Sequence, residues 1–275
     1  EGKRIIHDLT NIPVAGIIPY FRDIYIDEED TESFGKGGLE SGKIKVTAVL
    51  LKHISNFTDF APFKIIDNVC FYYSKSPEDV LQADITIIPG SKNVIDDLIY
   101  LKNNGFDKVI WENFKTGKTV IGICGGFEIL GRVVYDENNL EGQFTKMEGL
   151  GLFPIETHIK KEKVLGQKKF YYKNQTDVSE GYVIHMGEVV YHEASHLLRF
   201  TDGTTDGFML SDRCFGTFVH GLFDNKEILA EVLAPYGEIK SLNFREYKEK
   251  QYDKLAGLVR SNLDMDYIYK VIQEC

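Results

Sequence analysis

The sequence predicts an α/β fold, in which a mostly parallel sheet is flanked by helices and followed by a helical C-terminal segment. Short apolar runs recur through the first half of the chain, and stretches with apolar residues at helical spacing separate them. Strands that alternate with helices in this way form parallel sheets. The predicted strands are Ile44–Leu51, Cys70–Tyr73, Ile85–Ile88 and Thr119–Ile123. The predicted helices are Asn93–Asn103, Phe106–Thr116, Asn225–Leu233 and Tyr247–Leu263.

The remaining elements follow in chain order. Val14–Pro19 predicts a short buried strand that a proline ends, and Ile85–Ile88 ends in the sharp turn Pro89-Gly90. Residues 145–220 have more of the pattern of β-strands, and the stretch after them has apolar residues at helical spacing. In a parallel sheet, functional groups gather where strands end and helices begin. The turns after the predicted strands are therefore where we expect the chemistry.

The composition is that of an ordinary soluble globular protein and excludes several classes of function. The formal net charge is −10, which argues against nucleic acid as a partner because a phosphate backbone attracts clustered Lys and Arg. No apolar run approaches the roughly 18 residues that a membrane span needs. None of the four cysteines forms a CxxC pair. We therefore expect no structural metal, no disulfide framework, and a reducing, cytoplasmic setting.

Two parts of unequal length are predicted. Residues 1–40 end in the polar, glycine-rich stretch Gly35–Gly42, which is typical of a linker, and residues 41–275 form the main domain. The first residue is not Met, so we expect a fragment or a processed piece. Gly37–Lys43 has the Gly-x4-Gly-Lys spacing of a phosphate-binding loop. However, Ile44 stands where Ser or Thr would bind magnesium, and the loop precedes a strand, so we expect no nucleotide site there.

A cysteine in a glycine-rich turn is the strongest chemical signal in the sequence. Thr119–Ile123 runs directly into Cys124, Gly125 and Gly126, and a helix-compatible stretch follows. This is the pattern of a nucleophile elbow, in which a tight turn strains the backbone and small neighbours relieve the crowding. The thiol would lie beside a helix N-terminus, where we expect its pKa to be lowered. The Gly125 N–H would point to where an oxyanion forms.

A thiol nucleophile needs a base, and two of the seven histidines are candidates. His220 follows the apolar stretch Phe215–Val219, and a histidine at the end of a strand can face a cleft. His185, within Tyr182–Gly187, is the second candidate. The oxyanion also needs a second N–H donor. We predict Gly90, because it follows a neighbouring strand and its backbone can approach a substrate closely.

These segments together resemble the class I glutamine amidotransferases, and among them the enzymes that amidate corrinoids in the cobalamin pathway. The resemblance extends over most of the chain, and Ser55–Phe60 and Ile184–Gly187 make it specific. The segments that carry it are Ile54–Phe60, Ile88–Asn93, Gly122–Gly131, Gly149–Leu152, Gly181–Gly187 and Gly216–Phe223. The resemblance implies a flavodoxin-like fold. It also implies that residues 1–40 are the end of an upstream synthetase domain and a linker.

The resemblance further implies a mechanism. Cys124 would attack the side-chain amide of glutamine, His220 would act as the base and then protonate the leaving ammonia, and Gly90 and Gly125 would hold the oxyanion. The ammonia would pass to a synthetase domain, where ATP and magnesium would activate carboxylates of a corrinoid. This chain itself would bind glutamine and hold no cofactor.

One departure leaves a question open. Many class I amidotransferases have a glutamate two residues after the histidine, where this chain has Leu222. What orients His220 is therefore undetermined, and the site would work as a Cys–His dyad. Glu128 and His185 lie in the resembling segments without an assigned role.

Other interpretations also stay open. A diamide-forming corrinoid amidotransferase or a cell-wall amidating enzyme would share the cysteine turn and the His-Gly ending. Ser55–Phe60 favours neither of these but the corrinoid-amidating type that the segments above resemble. A cysteine peptidase on the same scaffold would have its histidine soon after the cysteine, whereas His220 lies about 100 residues after Cys124. A non-enzymatic scaffold for a synthetase partner would leave Cys124 unlabelled by a thiol-directed glutamine analogue.

Overall fold

The computed structural model describes residues 1–26, 43–237, 239 and 243–274. Contacts divide the chain into two compact units, one formed by Glu1–Glu29 with Asn243–Cys275 and the other by Asp30–Leu242. The helices are α1 (Gly2–Thr10), α2 (Ala61–Lys64), α3 (Pro77–Gln82), α4 (Val94–Asn103), α5 (Phe106–Lys115), α6 (Gly125–Ile129), α7 (Lys226–Leu233), α8 (Phe244–Asn262) and α9 (Met265–Glu274).

All of the strands lie in the larger unit, as far as the described residues go. They are β1 (Ile44–Val49), β2 (Ile54–Ser55), β3 (Val69–Ser74), β4 (Ile85–Ile88), β5 (Gly90–Ser91), β6 (Thr119–Ile123), β7 (Val133–Tyr135), β8 (Lys146–Glu148), β9 (Ile155–Tyr172), β10 (Ser179–Tyr191), β11 (Leu198–Phe200), β12 (Thr205–Asp206), β13 (Phe208–Ser211), β14 (Cys214–Thr217) and β15 (Val219–His220).

The central sheet confirms the predicted fold class. Its strand order is β13-β14-β6-β4-β1-β3, and every pairing is parallel except that of β13 with β14. All residues of β4 and β6 are buried, as expected for strands covered on both faces. Because Ile88 pairs with Gly122, the carboxyl ends of these two strands lie side by side. The turns that follow them therefore meet at one edge of the sheet.

A second, largely antiparallel sheet accounts for the predicted β-rich stretch at 145–220. Its order is β12-β11-β9-β10-β15, with β7 and β8 joined along β9. The long hairpin of β9 and β10 is irregular between His185 and Gly187, where the register shifts. The last strand, β15, pairs with β10 and carries His220. This sheet therefore brings His185 and His220 onto adjoining strands.

The smaller unit contains α1, α8 and α9, which confirms the predicted helical C-terminal segment. The predicted strand Val14–Pro19 is wrong, because only an isolated bridge of Gly16 to Leu263 forms there. No described helix is long and apolar enough to cross a membrane. The stretch Gly35–Gly42 lies outside the described residues, as does nearly all of Gly37–Lys43. The boundary predicted at residue 40 stays a prediction.

Packing of aromatic rings joins two single 3₁₀ turns of the larger unit. Phe57–Phe60 and Leu222–Asp224 form these turns. The ring of Phe223 lies 4.8 Å from that of Phe63 and 6.5 Å from that of Phe60, and all three rings are fully buried. Such rings contribute both buried area and favourable ring geometry. The packing fixes the first turn against the chain segment that follows His220.

Replacing Phe223 with Ala should lower the free energy of unfolding of the larger unit by about 3–5 kcal/mol, because a fully buried ring leaves a cavity. Urea unfolding followed by circular dichroism measures the change. The matched control is Leu165→Ala, whose side chain is 72% exposed and which should change stability by less than about 0.5 kcal/mol. Equal losses in the two variants would contradict the packing described.

Candidate active site

Cys124 occupies a strained turn between β6 and α6, as the sequence predicts. Its φ is 51° and its ψ is −113°, which is costly for a residue with a side chain. Its N–H donates to the Thr217 carbonyl at 2.8 Å, and its Sγ lies 3.5 Å from the carbonyl oxygen of Ile184. The turn is thus held from β14 on one side and β10 on the other. The thiol is placed where β6 ends.

The glycines around Cys124 are required because neighbouring backbone segments lie too close to admit a side chain. A Cβ on Gly126 would collide with the carbonyl of Ile88, at the end of β4. A Cβ on Gly122 would lie 2.6 Å from the Gly126 carbonyl oxygen, and one on Gly125 would lie 2.7 Å from the Ser91 nitrogen. No real Cβ approaches so closely, so the tight turn depends on these three glycines. The predicted reason for them is confirmed.

His220 is oriented by an aspartate that the sequence interpretation missed. Its Nδ1 lies 2.7 Å from Oδ2 of Asp59, and the other carboxylate oxygen accepts the Gly221 N–H at 2.9 Å. Both side chains are buried, with 0% and 3% of their surfaces exposed. A buried carboxylate that accepts from Nδ1 fixes the ring and leaves Nε2 as the working nitrogen. Asp59 therefore orients His220, a role that the apolar side chain of Leu222 cannot fill.

Sequence spacing could not reveal Asp59, because it lies 161 positions before His220. The one available signal is its neighbourhood: an ionisable residue between aromatic ones, in the segment Ser55–Phe60 that carried part of the resemblance. Asp59 is 4% exposed on a 3₁₀ turn. A carboxylate so deeply buried needs a partner.

The predicted oxyanion donor Gly90 stays a prediction, although the strand pairing around it favours the N–H of its neighbour Ser91. Strands β2 and β5 pair in antiparallel register, and the Lys92 N–H donates to the His53 carbonyl at 2.8 Å. Hydrogen-bonded pairs alternate along such a ladder, so the N–H of Gly90, two positions away, also faces β2. The N–H of Ser91 lies between them and faces the opposite side, where Gly125 is in close contact.

Ser91 is itself fixed by a buried carboxylate. Its Oγ donates to Oδ2 of Asp97 at 2.6 Å, and the other oxygen of Asp97 accepts the N–H groups of Lys52 and His53. Burial raises the pKa of Asp97, and these donors oppose the shift. Gly90 still has a spatial role, because a Cβ there would lie 2.7 Å from the Ser55 hydroxyl.

The surroundings of Cys124 raise the pKa of its thiol well above the ordinary value, so the predicted lowering is wrong. Burial is the main cause, and the carboxylates of Glu128 and Asp59 add to it. The Gly125 N–H opposes the shift but does not outweigh it. Desolvation disfavours the thiolate more than one short helix favours it. Cys124 therefore rests as a thiol and needs a base.

A cavity of about 270 Å³ opens next to Cys124. Glu128 and Glu141 line it, and both are acidic groups held in a poorly solvated place. Burial raises the pKa of Glu128 well above its usual range, with Glu141 adding to the effect, and burial raises the pKa of Glu141 to about 7. Oε2 of Glu128 is buried without a hydrogen-bond partner. Such an oxygen is available to accept a hydrogen bond.

His185 also lines this cavity but is a weaker base candidate than His220. Its Nδ1 lies 2.8 Å from the Gly187 carbonyl, and its ring stacks on Phe218 with the centroids 3.9 Å apart. Burial lowers its pKa, so the imidazole is neutral. In the part of the chain that the structure describes, no carboxylate forms a hydrogen bond or an ion pair with His185. Among the described residues, no cluster of three or more His, Cys, Asp or Glu could hold a metal ion.

The class of protein follows from what this site can do. A buried thiol in a strained turn, near enough to the carboxylate that holds His220 for that carboxylate to raise the thiol pKa, has the groups needed to form a thioester and hydrolyse it. That is the chemistry implied by the resemblance to glutamine amidotransferases.

The chain belongs to the family of CobB/CobQ-like glutamine amidotransferase domains, which it matches over residues 45–228. It is 39% identical over 281 residues to a cobyric acid synthase of Phocaeicola vulgatus, covering 99% of this chain and 57% of that protein. It is 40% identical over 283 residues to a cobyric acid synthase of Parabacteroides distasonis, with the same coverage. The chain thus spans 57% of the length of these curated relatives.

A solved structure shares the fold. The structure of PurLQS from Thermotoga maritima matches with a TM-score of 0.53 and 15% sequence identity, over 71% of this chain and 100% of that chain. The likeness supports the fold class described above.

Replacing Gly126 with Ala should destabilise the protein by about 3 kcal/mol, because the new methyl group collides with the Ile88 carbonyl and backbone cannot give way cheaply. The control is Gly166→Ala, since nothing lies within 4 Å of the position of its Cβ. Thermal unfolding compares the two variants. A Gly126→Ala protein as stable as the control would contradict the close contact of α6 with β4.

Proposed function

We propose that this chain is the glutaminase part of a cobyric acid synthase. It hydrolyses glutamine and supplies ammonia for the ATP-dependent amidation of corrinoid side-chain carboxylates in cobalamin biosynthesis. The observation that carries the proposal is the geometry at the edge of the central sheet. Cys124 stands there in a strained turn, and Asp59, the carboxylate that holds His220, lies near enough to raise the pKa of its thiol. The similarity over nearly the whole chain to enzymes named cobyric acid synthase supports the choice over a,c-diamide synthases and cell-wall enzymes.

The reaction begins with a proton transfer. His220 takes the Sγ proton of Cys124 on Nε2, while Asp59 holds Nδ1 and stabilises the imidazolium that forms. This help is needed because the buried thiol has a raised pKa and ionises poorly alone. The thiolate attacks the side-chain carbonyl carbon of glutamine, which gives a tetrahedral intermediate.

Two backbone N–H groups stabilise the negative charge of that intermediate. The N–H groups of Gly125 and Ser91 hold the oxyanion, and one such donor contributes about 3 kcal/mol in comparable sites. His220 returns its proton to the leaving nitrogen, so ammonia departs and a thioester on Cys124 remains. Water, deprotonated by His220, then attacks the thioester, and glutamate and the free thiol are released.

The amino-acid end of glutamine fits the polar end of the cavity. Oε2 of Glu128 has no partner, and Glu141 lies on the same cavity wall, so the pair can accept the α-ammonium group. The ammonium would also stabilise the ionised carboxylate that burial disfavours. Lys92 and Lys163 line the cavity and can meet the α-carboxylate. This arrangement distinguishes glutamine from simple amides.

The chemistry that consumes ammonia requires the part of the relatives that this chain does not span. We assign ATP, magnesium and the corrinoid to that synthetase part. The smaller unit supports the assignment, because neither α1 nor α9 buries a residue and many of its large apolar side chains are exposed. Exposed apolar surface of this kind is typical of an interface. The exposed residues include Ile5, Ile6, Leu9, Ile12, Ile17, Ile18, Tyr20, Tyr269, Val271 and Ile272.

The setting that suits this reaction is a reducing one. Cys124 and Cys214 are free thiols, and a catalytic cysteine must stay reduced to act. We therefore place the reaction in the cytoplasm.

Cys124→Ser should lower glutamine hydrolysis by at least about 1,000-fold, because the nucleophile and base act as a unit. Glutamate release in the purified chain measures the loss. Cys70→Ser is the control and should retain activity, since Cys70 lies on β3 away from the cavity-lining residues. Full turnover by Cys124→Ser would rule out the mechanism.

Asp59→Asn should lower kcat by about 100- to 10,000-fold with little change in KM, because the amide no longer orients the imidazole or stabilises its charge. Steady-state glutaminase kinetics test this, with the exposed Asp67→Asn as the matched control. If kcat stays within twofold of the parent, a Cys–His dyad without Asp59 is the better description.

Glu128→Leu should raise KM for glutamine by roughly 10- to 100-fold, the size of a lost hydrogen bond to a charged group, with a smaller effect on kcat. Leu keeps a similar volume in the buried site. Glu112→Leu, on the exposed face of α5, is the control. A fall in kcat at unchanged KM would show that Glu128 acts on the reaction rather than on binding.

A further inference from the structure

Nε2 of His220, the nitrogen that must act as the base, already accepts a hydrogen bond. With Nδ1–H of His220 donating to Asp59 at 2.7 Å, Nε2 carries the only lone pair of the ring. Nδ2 of Asn56 lies 3.0 Å from Nε2 and donates to it. One lone pair accepts one good hydrogen bond. While this bond exists, neither the thiol of Cys124 nor a substrate nitrogen can use Nε2.

The backbone conformation explains why residue 56 is an asparagine, but it does not explain where the side chain points. It precedes the 3₁₀ turn Phe57–Phe60 with φ 50° and ψ 42°, a left-handed conformation that Asn tolerates better than most residues. An asparagine in this position usually caps the turn with its side chain. Here the side chain makes no capping hydrogen bond. Asn56 instead lines the same cavity as Cys124, and its Nδ2 lies 3.0 Å from Nε2 of His220.

We infer that Asn56 is a latch on the catalytic base, holding Nε2 while the site is idle and competing for it with the carboxamide of glutamine. The inference rests on the proposed glutaminase function and deepens it. The side chains of Asn and Gln end in the same group, a primary carboxamide. The leaving nitrogen of the substrate must come within hydrogen-bond distance of Nε2 to receive its proton. The Nδ2 atom of Asn56 stands in that position.

The latch fits the proton balance of the reaction. Before attack, the Nδ2–H bond to Nε2 breaks and Asn56 turns away. The Sγ proton of Cys124 then moves to Nε2, and from there to the leaving nitrogen. After thioester hydrolysis the imidazole is neutral again, and Asn56 can reclaim Nε2. The idle chain thereby keeps its thiol protonated and slow to react.

The test is the reactivity of Cys124 in Asn56→Gly, a variant that removes the amide and keeps the left-handed backbone. Iodoacetamide at pH 7, followed by mass spectrometry of the Cys124 peptide, measures the rate, and the Cys70 peptide serves as an internal reference. We expect alkylation of Cys124 to be about 3- to 10-fold faster than in the parent, the effect of one lost hydrogen bond. The kcat/KM for glutamine should rise in the same proportion. Asn11→Gly is the matched control, since Asn11 has the same conformation, with φ 54°, and is exposed.

Each outcome of the alkylation measurement either supports or overturns the proposed role of Asn56. An unchanged or slower alkylation of Cys124 in folded Asn56→Gly overturns the latch, and a slower one makes Asn56 a positioning residue. If that variant does not fold by circular dichroism, the same measurement on Asn56→Ala decides, despite its cost in a left-handed position. Failure of the latch is separate from failure of the proposed function. Glutaminase activity that survives in Cys124→Ser would contradict the proposed function. Loss of activity in Cys124→Ser, together with unchanged alkylation of Cys124 in Asn56→Gly, would contradict only the latch.

Discussion

The contact of helix α6 with the end of strand β4 is the constraint on which the rest of the site depends. Gly126 lies so close to the Ile88 carbonyl that a methyl group does not fit. Cys124 must therefore turn from strand to helix within one residue, at a φ of 51°. Two hydrogen-bonded neighbours, β14 and β10, hold the strained turn. Without this close contact Gly125 would not lie against Ser91 on β5.

Close packing also determines the electrostatics of the site. The same burial that fixes Cys124 removes water from its thiol and raises the pKa, so the helix N-terminus does not make a thiolate. The protein compensates with a buried His220–Asp59 pair. The neighbouring cavity repeats the pattern, because burial and the charge of Glu141 raise the pKa of Glu128. Burial thus favours the neutral form of both the thiol and this carboxyl group.

The arrangement of the base illustrates how distant segments converge. Asp59 and Asn56 come from the loop after β2, and His220 comes from β15. Packing of Phe223 on Phe60 and Phe63 joins the two segments. A change in that aromatic packing would alter the ring orientation without touching a reacting atom. The site thus depends on contacts between parts of the chain that are far apart in sequence.

The sequence by itself determined the parallel sheet, the strand–cysteine–helix turn and its glycines, because local periodicity and turn chemistry depend on neighbouring residues. Only the tertiary structure decided which carboxylate contacts His220, which N–H of β5 faces the cysteine turn, and which way the thiol pKa moves. Asp59 lies 161 positions from its partner, the choice of Ser91 over Gly90 depends on the register of two short strands, and desolvation depends on what surrounds Cys124. None of these is a property of a local segment.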